Sequence, residues 1–124
     1  MILTRLAAAA ALSLLTTTPI PALPPGQTIE VWSFGFAPKP IHLVAGQPVT
    51  LTFVNRSAGG HDFTAKAFFA NAQITSGAAP GGEIELRPHE TKSISLIPRA
   101  GSYSAHCSHF FHEQLGMSAS ILVS

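Results

Sequence analysis

The sequence predicts an all-β domain, a Greek-key β-sandwich of about eight strands, and three observations carry that expectation. Short apolar or alternating segments follow one another with turn residues between them, and none sustains a period near 3.6 residues. A length of 124 residues suits a single hydrophobic core. The composition is 46% apolar and only 10% charged. Typical soluble domains carry roughly 25% charge, so the chain is far from the signature of disorder.

Taken in order, the chain opens on a segment that reads as an export signal. Arg5 supplies the positive end, residues 6–15 (LAAAAALSLL) are apolar apart from one Ser, and a polar, Pro-containing stretch follows. Ten residues are too few to cross a bilayer core, which takes about 20 in a helix. Residues 1–22 are therefore assigned to a signal peptide and 23–124 to the mature domain. That domain is expected in the periplasm, without an integral membrane span.

Strands follow at residues 28–33, 41–44, 48–55, 61–66, 83–86, 91–97, 102–107 and 117–123. The punctuation between them is rich in Gly and Pro, as in Ala45-Gly46-Gln47, Ala58-Gly59-Gly60, Pro80-Gly81-Gly82 and Arg99-Ala100-Gly101. Alternation assigns faces: Val49, Leu51 and Phe53 form one apolar row, Tyr103, Ala105 and Cys107 another, and Met117, Ala119, Ile121 and Val123 a third. Residues 67–74 (AFFANAQI) are the least strand-like stretch, open to a short helix or an irregular crossover.

Charge excludes some functions. Without Arg5, the mature part sets Lys39, Arg56, Lys66, Arg87, Lys92 and Arg99 against Glu30, Asp62, Glu83, Glu85, Glu90 and Glu113, a formal net charge of zero. No basic stripe remains, so nucleic acid and anionic membrane are not expected partners. A Gly-x-Ser-x-Gly elbow is missing, and no oxyanion device is legible beside the thiol, so the chain does not read as an enzyme.

The chemistry gathers near the C-terminus. Tyr103-Ser-Ala-His106-Cys107-Ser-His109-Phe-Phe-His112-Glu-Gln-Leu-Gly116-Met117 joins two predicted strands through one loop. A thiolate, an imidazole and a thioether can converge there, with a further ligand from elsewhere. His61 begins a strand after Ala58-Gly59-Gly60 and can lie at the same end of the sandwich. The lone Cys of an exported protein is also explained if a metal occupies it. Thiolate and thioether ligands favour copper over zinc, and two His, one Cys and a weak axial Met suit a one-electron copper site.

These residues resemble the cupredoxins, the type 1 or blue copper proteins. Cys107, four residues, His112, four residues, Met117 is similar to the ligand loop of the rusticyanin branch, and Gly60-His61-Asp62-Phe63 resembles the family's first-His motif. The resemblance implies one copper ion cycling between Cu(I) and Cu(II), held by His61, Cys107, His112 and Met117. It also implies a monomeric electron carrier that meets a redox protein transiently. His109, two residues after Cys107, departs from usual family loops. His109 is the other candidate for the second imidazole, but it has less chain with which to turn back onto a metal. With His106, it also keeps open a copper buffering or tolerance role at the same site.

The remaining features are expected to be structural. His42 is assigned to a solvated face and His89 to a turn, Asn55-Arg56-Ser57 is a formal glycosylation pattern, and Asp62 is a candidate acceptor beside a ligand.

Overall fold

In the computed structural model, which describes residues 7–15, 24–109 and 117–124, ten strands form two five-stranded sheets. The strands are β1 (Gly26–Trp32), β2 (Gly35–Ala37), β3 (Ile41–Leu43), β4 (Val49–Asn55), β5 (His61–Thr64), β6 (Gln73–Ser76), β7 (Glu83–Leu86), β8 (Thr91–Ile97), β9 (Gly101–His106) and β10 (Ser118–Val123). One helix, α1 (Lys66–Asn71), lies between β5 and β6. The first sheet has the order β2-β1-β4-β8-β6 and the second β3-β10-β9-β5-β7. β1 pairs with β4 and β3 with β10 in parallel, and the remaining pairs are antiparallel.

Period-two patterning places the core between the sheets. In β4, Val49, Leu51 and Phe53 are buried while Thr50, Thr52 and Val54 are only partly covered. Ile29 and Val31 of β1 and Ile94 and Leu96 of β8 continue that surface. The opposing sheet contributes Phe63, Leu86, Ala105, Ile121 and Val123 to the same cluster. Phe63 is the hub: its ring lies 4.8 Å from that of Phe53, 5.3 Å from Phe36 and 6.3 Å from Phe69, centroid to centroid.

The all-β sandwich and its eight predicted strands are present, their ends displaced by at most two residues. Two strands were not predicted. β2 is three residues long and closes a tight hairpin on β1, while β6 is exposed throughout and so shows no alternation. The strand expected over 61–66 stops at Thr64, because α1 begins at Lys66 and drives Phe68 and Phe69 into the core. Its start is pinned by the Ala65 N–H donating to the Gly82 carbonyl at 2.9 Å. Gly82 has φ 77°, and a Cβ there would come within 2.6 Å of Lys66 Cα, so only glycine fits this crossing.

Residues 7–15 are exposed and carry no regular secondary structure, and the predicted boundary at Ala22 lies outside the described residues. Among the described residues, no helix is long and apolar enough to cross a membrane.

Candidate metal centre

Sheet pairing fixes the site before any side-chain contact is considered. β9 and β10 run antiparallel with Ser118 opposite His106, and one step further the Cys107 N–H donates to the Met117 carbonyl at 3.0 Å. Cys107 and Met117 therefore face each other at the end of the β9–β10 pair, and both are buried. β5 joins β9 on its other side, with Thr64 opposite His106, so His61 at the start of β5 comes to the same end.

There, Nδ1 of His61 lies 3.9 Å from Sγ of Cys107, and both residues are at most 3% exposed. That spacing lies inside the roughly 4.3 Å spanned by ordinary metal–nitrogen and metal–sulfur bonds of about 2.0 and 2.3 Å, so one ion can join the two atoms. His61, Cys107 and Met117 thus lie at one end of the same sheet. His112 lies outside the described residues.

The thiol sits in a mixed field. Burial pushes the Cys107 thiol above its ordinary pKa, and the charges of Asp62 and Glu85 act in the same direction. Backbone N–H groups of Asp62 and His109 oppose this by donating toward the sulfur, the Asp62 nitrogen standing 3.5 Å from Sγ. Asp62 is completely buried and acts as the acceptor the sequence suggested. Its Oδ1 accepts from the Thr64 hydroxyl at 2.7 Å and the Ser108 N–H at 2.9 Å, and Oδ2 accepts from the Ser108 hydroxyl. The turn leaving Cys107 is thereby tied to the strand that carries His61.

On the same side of β5 and β7, Asp62 stands opposite Glu85, and Glu83 is two residues away. A hydrogen bond with Glu85, partial burial and the neighbouring Asp62 and Glu85 charges hold the Glu83 carboxyl above its ordinary value, with His109 pulling it down. His109 answers this acidic cluster: its Nε2 is 3.1 Å from Glu85 Oε1 and 3.5 Å from Asp62 Oδ2. A ring nitrogen of His109 also belongs with Cys107 Sγ and the Asp62 carboxylate to a group spanning no more than 4.8 Å. His106 points away from Cys107 by strand alternation, as expected, His42 is exposed on β3, and His89 is an exposed turn residue with φ 57°.

Sequence reasoning missed Asn55 as a determinant of the site. The residue is buried, and its Nδ2 donates to the carbonyls of Gly59 at 2.8 Å and Arg87 at 2.9 Å. Its Oδ1 accepts from the N–H and the hydroxyl of Ser57. Asn55 and Ser57 of the formal glycosylation pattern frame the loop that delivers His61; only the position of Asn55 six residues before the strand start at His61 hinted at this. Replacing Asn55 with Ala should cost about 2–3 kcal/mol, the penalty for stranding several buried polar groups. Chemical denaturation checks this, and a midpoint equal to wild type would refute the role.

Comparison with known proteins agrees with this architecture. A family model described as a cupredoxin-like domain matches residues 4–123. Na-dithionite reduced auracyanin from the photosynthetic bacterium Roseiflexus castenholzii superposes with a TM-score of 0.61 at 21% identity, covering 80% of this chain and 96% of its own. An auracyanin B structure gives 0.58 at 17% identity, over 85% of this chain and 93% of its own. A multicopper oxidase from Campylobacter jejuni, described as a metallo-oxidase, gives 0.64 at 16% identity, over 90% of this chain but only 32% of its own. This chain thus spans about a third of that oxidase. A search of curated proteins gave no match. With a family model running through nearly every residue and both sheets ordered as described, the chain belongs to the cupredoxin-like domain family.

Proposed function

We propose that this domain holds one copper ion through His61, Cys107, His112 and Met117 and carries single electrons between redox proteins. The observation that carries the reading is the buried pair of His61 Nδ1 and Cys107 Sγ at 3.9 Å, beside Met117 at the head of β10. An imidazole, a thiolate and a thioether form a soft donor set that suits copper. Bound copper would supply reversible exchange of one electron between Cu(I) and Cu(II). The chain's own residues do the rest. Neighbouring strands of one sheet, β5 and β9, hold His61 and Cys107 at fixed separation, and the Asp62 backbone N–H donates to the sulfur. Because burial raises the Cys107 thiol, the sulfur must give up a proton on loading, so copper binding tightens as pH rises.

The auracyanin likeness covers nearly the whole of those chains and supports a small carrier, whereas the oxidase likeness covers a fraction of a much longer chain. We therefore read the protein as a carrier, not an enzyme, working as a monomer in the periplasm after removal of residues 1–22 and meeting its partner transiently.

Adding Cu(II) to the purified domain tests this. One equivalent should bind with an intense thiolate charge-transfer band and be reduced and reoxidised reversibly. Binding of more than one equivalent without electron exchange would favour the buffering or tolerance reading, to which His109 beside the thiolate lends its specific support. Failure to bind copper through sulfur would refute both.

A further inference from the structure

His109 is held where a loop residue would ordinarily be free to move. Its side chain is only 34% exposed, and Nε2 lies within reach of two carboxylates on two different strands, Glu85 of β7 and Asp62 of β5. Those carboxylates belong to residues directly opposite one another in the β5–β7 pairing. Like charges in that position repel, and a donor placed between them relieves the strain. The backbone N–H of the same residue points toward the sulfur of Cys107. Asp62 is already committed to Thr64 and to both Ser108 donors, so it serves as a fixed anchor rather than as a spare ligand.

We propose that His109 is a positioning residue. Its imidazole, clasped between Glu85 and Asp62, fixes the first turn after Cys107 and so sets the second N–H···S contact to the metal-binding sulfur. This rests on the copper reading above and extends it to a residue that the ligand set does not include. Hydrogen bonds to a ligating sulfur tune both affinity and potential, so loss of the clasp should be felt at the metal without removal of any ligand.

Wild type, His109→Ala and His109→Gln, each compared without metal and after loading with Cu(II), test the proposal. Gln offers an N–H donor of similar reach but no imidazole. In the metal-free domain, amide exchange at positions 108 and 109 should quicken about tenfold in the Ala variant and return toward wild type in the Gln variant. After loading, both variants should keep the thiolate band. Copper affinity should fall roughly tenfold with Ala and recover with Gln, accompanied by a shifted reduction potential in the Ala variant only. Loss of the band in both variants would make His109 a ligand and overturn the clasp. Unchanged exchange and affinity in the Ala variant would overturn it too, as would a Gln variant that behaves like Ala. If wild type itself shows no thiolate band, the copper reading fails, while metal-free exchange still decides the clasp.

Discussion

Cys107→Ser is expected to yield a folded but colourless protein that binds copper more than about 100-fold more weakly than wild type. The loss should exceed the 10–100-fold typical of residues that only support a ligand, because on the proposed function the variant removes a ligand itself. Oxygen is a harder donor than sulfur, and no other cysteine is present in the chain to replace it. The side chain is 1% exposed and packs at the end of the core, so far-UV circular dichroism must accompany the titration to show that the sandwich persists. A copper-loaded Ser variant that keeps the visible band would refute the assignment of the thiolate. A pure loss of colour with an unchanged fold would separate the chemistry of Cys107 from its packing.

The second large effect falls on stability. Phe63→Ala should destabilise the domain by about 3–5 kcal/mol, the range for deleting a buried aromatic side chain whose neighbours cannot close over the gap. Phe63 is completely buried and meets Phe36, Phe53 and Phe69, so its removal opens the contact between the two sheets at their centre. Since it also lies two residues from His61 on β5, the same variant should loosen the site. Equilibrium denaturation measures the first effect and copper affinity the second. A loss under about 1 kcal/mol would mean that the core repacks and that Phe63 is no hub.

Much of this was legible because the core strands alternate. Val49, Leu51 and Phe53, and Met117, Ala119, Ile121 and Val123, each declare a buried face through period two alone, and the structure buries every one of them. β6 escaped notice because Gln73–Ser76 is exposed on both faces and owes its place in the sheet to pairing with β8. Only the structure chose between helix and crossover for the stretch that contains Phe68 and Phe69, because six residues are too few for a helical period to declare itself. At the site, ligand chemistry could be read from residue types, since thiolate, imidazole and thioether are informative wherever they fall. The supporting contacts could not, because Asn55, Glu85 and His109 act through strand register and loop closure. Asp62 was an exception, made conspicuous by its place beside His61. His112 lies outside the described residues and remains assigned by its spacing from Cys107.

The position of β10 has a consequence for the order in which the molecule can be made. It is the last of the ten strands among the described residues, yet it lies between β3 and β9, pairing with the first in parallel and the second in antiparallel fashion. Until β10 is made, β3 has no strand to pair with in its sheet, and Met117, which leads into β10, is among the late residues. The β9-β5-β7 part that carries His61 and Cys107 needs no residue of β10 for its own pairing, so Met117 is the last of these to arrive. A site that needs Met117 beside Cys107 is therefore complete only once this closing strand is in place.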